Sequence, residues 1–137
     1  MFKFRLQTVL ELRQKELEET ELALQLARGK RLDAESDRQG IDRLMAQLRG
    51  SNPSTFQGRL DACAYNDRLE DEARALDSLT SVLRAEEEQA EAKWIEARKE
   101  VKALENLREK ALAEHNAEVN RKEQAALDEW ATMRRVA

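Results

Sequence analysis

The residues able to do chemistry are few. The chain has one histidine, His115, and one cysteine, Cys63. Its densest carboxylate runs are LEDE at 69–72 and EEE at 86–88. A histidine beside Glu114 and Glu118 has the composition of a base or a ligand site. It also falls on the seven-residue repeat described below, where it reads as a partly exposed coiled-coil residue. Cys63 has no histidine near it in sequence to activate a thiolate, so it reads as a small buried apolar residue. The acidic runs would hold a cation only weakly and read as solvated helix faces. The chain contains no glycine-rich phosphate loop, zinc-type spacing or hydrolase motif. The sequence thus points to no catalytic residue, no cofactor and no metal, and the expectation is a protein that is not an enzyme.

What would position such residues is set by composition. Charged residues make up 38% of the 137, aromatics 4%, and there are four Gly and one Pro. Ala, Leu, Glu, Lys, Arg and Gln dominate, the profile of long helices and coiled coils. Leu, Ala, Val and Ile recur with a helical period, which disordered chains lack. The net charge of −4 is spread over interleaved signs. No basic block suits a phosphate backbone, so nucleic acid is not an expected partner. Every apolar run is interrupted well short of the roughly 18 residues of a membrane span. Lys3, Arg5, Glu11 and Arg13 break up any signal-peptide core. With no partner for a disulfide, the chain reads as cytoplasmic.

Alternating steps of four and three from Leu6 reach Leu10, Arg13, Leu17, Thr20, Leu24, Ala27, Arg31, Ala34, Arg38, Ile41, Met45 and Leu48. This is a heptad seam with arginines in its middle. Leu22, Leu26, Leu32 and Leu44 lie beside it and are expected to widen the apolar stripe. Gly29 and Gly40 each cost this helix about 1 kcal/mol relative to Ala. The pattern stops at RGSNPSTFQG, residues 49–58, where Gly50 suits a helix C′ position and Pro53 forbids continuation. Ser54 with Gln57 fits a capping box for the next helix. Beyond Gly58, Leu69, Leu76, Leu83, Ala90, Ala97, Leu104, Ala111 and Ala125 form a seven-residue ladder broken only at Glu118. Its companions are Asn66, Ala73, Thr80, Glu87, Trp94, Val101, Arg108 and His115.

The expected fold is all-α, one elongated unit over 1–137. Helix 1 runs from about 3 to 49, the turn covers about 50–54, and helix 2 runs from about 55 to 133. A short connection between amphipathic helices makes them an antiparallel coiled-coil hairpin. Folding about a tight turn pairs residues whose numbers sum to roughly 105. Leu48 then meets Phe56–Leu60, Ile41 meets Cys63 or Ala64, and Leu6 meets Lys99–Val101. Helix 2, about 118 Å long against about 69 Å for helix 1, is left with an overhang. That overhang carries Leu104, Leu107, Leu112, Val119, Leu127 and Trp130, an apolar stripe in want of another surface.

Trp94 falls on the hairpin seam and reads as core, whereas Trp130 lies where no intramolecular core reaches. It is either a partner contact or an exposed ring. Near the turn, Ile41, Leu44, Leu48, Tyr65 and Leu69 give more apolar surface than two seams need, as flanking core or as a second docking patch. Phe2 and Phe4, two of the three phenylalanines, are set to brace the end of helix 1 against Val101 and Leu104.

The opening FKFRLQTVLELRQKELEETELALQLA resembles the start of FliJ, the flagellar type III export family, in its aromatic-basic-aromatic opening followed by Leu, Val-Leu, Arg and a Glu-rich continuation. NRKEQAALDEWATMR, residues 120–134, is similar to that family's C-terminal pattern. The resemblance implies a non-enzymatic stalk similar to the gamma subunit of a rotary ATP synthase. Such a stalk serves the flagellar protein export apparatus, peripheral at the cytoplasmic face of the inner membrane. Its implied partners are the hexameric export ATPase FliI, the export gate protein FlhA and export chaperones. Carried over by position, the ATPase-facing residues are Phe2, Phe4, Leu6, Val9, Leu10, Arg13, Glu123, Gln124, Asp128, Glu129 and Trp130. The gate-facing residues are Ile41, Leu44, Leu48, Tyr65 and Leu69, and Glu72 stands where the family can have a small apolar residue. Two other readings are the equivalent stalk of a virulence type III system and a generic self-associating coiled-coil scaffold.

Overall fold

The computed structural model describes residues 1–136; Ala137, the last residue of the expected unit, lies outside the described residues. Among these the only regular elements are two helices, α1 (Gln7–Gly50) and α2 (Phe56–Val136). They pack against each other as an antiparallel hairpin: as the chain rises from Arg28 to Arg38 on α1, its ionic partners fall from Glu87 to Asp77 on α2. Contacts group the chain into two units, Glu19–Trp94 and Met1–Glu18 with the chain from Ile95 onward.

The seam is the one the heptads describe. In the unit formed by Glu19–Trp94, Leu24 and Ala34 of α1 are buried with Leu69, Ala73, Thr80 and Leu83 of α2. In the other unit, Leu10 is buried with Ala97 and Val101. Thr80 is the one buried polar residue among these and donates its hydroxyl to the Leu76 carbonyl at 2.8 Å. The seam is narrow. Leu22, Leu26 and Leu32, expected to widen it, are 61%, 68% and 51% exposed. A two-helix contact covers little more than the repeat positions themselves, and one or two positions of about 100° carry these leucines out of it.

The turn departs from expectation in three ways. Gly50 is the last helical residue and no described residue has positive φ, so no left-handed C′ glycine ends α1. Instead the Ser51 amide donates to the Gln47 and Leu48 carbonyls, and the Ser51 hydroxyl donates to Leu48 at 2.8 Å. Asn52, the residue before Pro53, disfavours helical angles, so the helix does not continue. The N-cap of α2 is Thr55, not Ser54. Its Oγ1 accepts from the Gly58 amide at 3.0 Å. Gly58 takes the position where a capping box needs Glu or Gln, so only half of the box forms.

The third departure is the register. Ile41, expected against Cys63 or Ala64, instead shares a cleft with Glu72, Ala75 and Leu76. Phe2 meets His115, beyond the expected Val101–Leu104. The shift is about ten residues and comes from the loop. A non-helical residue advances up to about 3.3 Å along the chain against 1.5 Å in a helix. Ser51–Thr55 therefore climb past the end of α1, and α2 comes back through turns that have no α1 residue beside them. Phe56 is accordingly 72% exposed and Leu60 49% exposed. The same shift puts Cys63, expected buried, at an exposed position.

At the start of the chain, Met1–Phe4 are irregular and α1 begins at Gln7 rather than near residue 3. MFKFRL supplies no Ser, Thr, Asp or Asn for a cap. The first helical amide, Gln7, donates to the Phe4 carbonyl at 3.2 Å.

Candidate functional site: the end of α2 and the cleft near the turn

The unit holding the start of the chain ends its packing at His115. Phe2 lies against the imidazole, ring centroids 5.4 Å apart at 48°. Phe4 and Leu6 border a cleft with Leu107, Lys110 and Ala111. Phe2, Phe4, Leu6 and His115 are all half-buried. From Asn116 to Val136 every residue of α2 is exposed. The overhang is therefore shorter than the sequence suggested, because Leu104, Leu112 and His115 are partly covered.

Most of its apolar residues are not on the seam ladder. Continued past His115, that ladder gives Glu118, Lys122, Ala125, Glu129, Thr132 and Val136. A second apolar row falls one position on, at Leu112, Val119, Ala126 and Met133, with Trp130 beside the last two. One position is about 100° around the helix. The bare face of the overhang thus points to a side different from the one α1 covers. Val119, Trp130 and Met133 are 37%, 58% and 66% exposed. Writing the repeat one residue later adds Ala126 and Met133 to Val119, which the sequence already places on the overhang.

The other carried-over residues sort by contact. Leu10 is 3% exposed and closes the hairpin, while Val9 is exposed next to it. Arg13 pairs with Glu16 at 2.8 Å and reaches Glu100 at 3.5 Å. Its guanidinium is held above its ordinary pKa by the hydrogen bond it donates to Glu16, then by the charges of Glu16 and Glu100. On the overhang, Gln124 donates to Asp128 at 3.2 Å. The Arg134 guanidinium sits 5.1 Å from the Trp130 ring centre, and Trp130 remains exposed.

In the unit formed by Glu19–Trp94, Gly40, Ile41, Leu44, Glu72, Ala75 and Leu76 line an open cleft of about 800 Å³. Leu48 borders a second cleft with Cys63 and Asn66. Tyr65 is exposed with Arg68 5.6 Å from its ring centre. Leu69 is 3% exposed and belongs to the seam. The structure brings Ile41 and Leu44 into one cleft; Leu48 lies in the next, and Leu69 faces α1. Glu72 does line the first cleft, and Leu79 and Val82 are exposed further along α2.

The unit formed by Glu19–Trp94 also holds an ion network built on the seam arginines. Arg31, on the seam, donates to Glu87 of α2 and to Glu35 of its own helix at 3.0 Å. Arg28 donates to Glu87 at 3.2 Å, and Arg84 to Glu35 at 3.0 Å. Arg38 donates to Asp77 at 2.9 Å and also to Asp42. The Glu87 carboxyl is held below its ordinary pKa by the hydrogen bond from Arg31 above all, against the cost of burial. Glu35 is lowered by the hydrogen bonds from Arg84 and then Arg31. Among the described residues, no cluster of three or more His, Cys, Asp or Glu could hold a metal ion. No helix among them is long and apolar enough to cross a membrane.

These features define an all-helical protein of two long helices packed as a hairpin. The sequence matches the family described as "Flagellar FliJ protein" over residues 2–136. The chain belongs to that family and is a flagellar export-related protein. Neither a curated protein nor a solved structure matches it.

Proposed function

We propose that the chain is a non-catalytic coupling component of the flagellar export apparatus. The end of α2 enters the hexameric ring of the export ATPase FliI. The cleft near the turn contacts the cytoplasmic part of the gate protein FlhA, and the protein assists export chaperones in delivery. This places its work at the cytoplasmic face of the inner membrane. The reading rests on family membership and on one observation above all: from Asn116 onward α2 is uncovered while carrying Val119, Leu127, Trp130 and Met133. Such a stripe on a single helix gains stability only by burial against another surface.

In this reading Val119, Ala126, Trp130 and Met133 form the apolar contact with the ATPase. Glu123, Gln124, Asp128 and Glu129 form its polar border, and Phe2, Phe4 and Val9 contribute from the start of the chain. Leu6, Leu10 and Arg13 hold α1 to α2 beneath them. At the gate-facing end, Ile41, Leu44, Leu48 and Tyr65 make contact, and Leu69 supports them from the seam.

The test is titration of the full chain into a flagellar export ATPase while hydrolysis and ring formation are followed. Both should rise with the added chain. No binding and no change in either would refute the proposal.

A further inference from the structure

We infer that the ion network of Arg28, Arg31, Glu35, Arg38, Asp77, Arg84 and Glu87 sets the register of the hairpin, rather than supplying its stability. The apolar seam cannot set it alone. Leu69, Leu76, Leu83 and Ala90 repeat every seven residues, as do Leu17 with Leu24 and Ala27 with Ala34. A helix displaced by one heptad finds nearly the same apolar surface. Charges break that degeneracy. In the observed register Glu87 receives Arg28 and Arg31, Glu35 receives Arg31 and Arg84, and Arg38 bridges Asp42 and Asp77.

A slip of α2 by seven residues in one direction sets Glu35 against Glu87 and Glu91 and Arg38 against Arg84. The opposite slip sets Glu35 against Asp77 and Arg28 against Arg84. The first slip gives Glu87 Arg38 where Arg31 stood but Glu35 in place of Arg28; the second sets it against Glu21 and Leu24, with neither arginine, and both turn the Glu35 carboxylate toward another carboxylate. The Glu87 side chain is 14% exposed, so water would do little to relieve a mismatch there. A partly buried ion pair contributes little net stability, because desolvation offsets attraction, but mispairing it is costly. Polar groups at seam positions fix register in the same way, at some cost in stability. Register has a consequence for α2, since each heptad of slip changes its uncovered length by about 10 Å.

The test uses the full chain carrying Cys63→Ser with spin labels at Glu21→Cys and Ser78→Cys. Both positions are exposed, in the same unit and well offset along the hairpin axis. With the network intact, the interlabel distance distribution should show one peak. In the variant Arg31→Leu, Arg38→Leu, Glu87→Leu, helicity and thermal midpoint should hold or rise. A second peak should appear, displaced by roughly 10 Å. A single unshifted peak in that variant would overturn the inference. So would loss of helicity, which would make the network a stabilising element instead.

Discussion

Phe2 packs its ring on the imidazole of His115 at a centroid distance of 5.4 Å, and this contact marks where the hairpin stops and uncovered α2 begins. It ties an irregular N-terminal segment to the helix. A tilted aromatic pair contributes about 0.5–1.5 kcal/mol beyond its buried area. A double-mutant cycle with Phe2→Ala and His115→Ala should return a coupling in that range. Amide exchange in residues 2–6 should quicken in either single variant. Zero coupling would leave Phe2 free for a partner alone.

Leu24 and Leu26 are two residues apart, yet 6% and 68% exposed. Leu24→Ala should therefore cost about 2–3 kcal/mol in denaturant unfolding. Leu26→Ala should fall within about 0.5 kcal/mol of the parent chain. Equal costs would mean that the stripe is wider than the seam.

Capping of α2 separates three neighbouring substitutions. Thr55→Ala removes the acceptor for the Gly58 amide and should cost about 1 kcal/mol, whereas Ser54→Ala should be close to neutral. A Cβ on Gly58 would meet Thr55 Oγ1 at 2.9 Å and Pro53 Cβ at 3.2 Å. Gly58→Ala should thus lower the thermal midpoint. Gly29 has nothing within 4 Å of an added Cβ, so Gly29→Ala should gain about 1 kcal/mol.

Acid should weaken the unit formed by Glu19–Trp94 through Glu35 and Glu87. Both carboxyls are held below their ordinary value by arginine hydrogen bonds, so the folded chain binds fewer protons than the unfolded one. The pairs are fully ionised above the ordinary carboxylate pKa of about 4.3. As pH falls through it to the lower folded values, protonation breaks them and leaves their arginines uncompensated, which destabilises the fold even though the intact network adds little net stability. Thermal midpoints should be level from pH 7 to about 5 and fall below that. The fall should be shallower in Glu87→Gln. An identical acid profile in that variant would remove Glu87 from the account.

Much of this was legible from the heptads, since Leu10, Leu24, Ala34, Leu69, Leu83 and Val101 sit where the repeat puts them. Register was not legible. It depends on the rise of Ser51–Thr55, which a tight-turn assumption sets too low. The arginines at 31 and 38 read as breaks in the apolar seam because their carboxylate partners on α2 stand 56 and 39 residues away in sequence. Only the corrected register brings them together. On the overhang the signal was present but off by one position, as Val119, Ala126 and Met133 follow their own seven-residue step.

The central claim is that α2 beyond His115 is the docking element for the export ATPase, and truncation tests it most directly. A chain ending at His115 keeps every residue that packs against α1 and the Phe2 contact, so its helical hairpin should persist by circular dichroism. Added to the export ATPase beside the full chain, it should neither bind nor raise hydrolysis, while the full chain does both. If the truncated chain binds and activates as well as the full one, the uncovered end of α2 is not where this protein meets the ATPase.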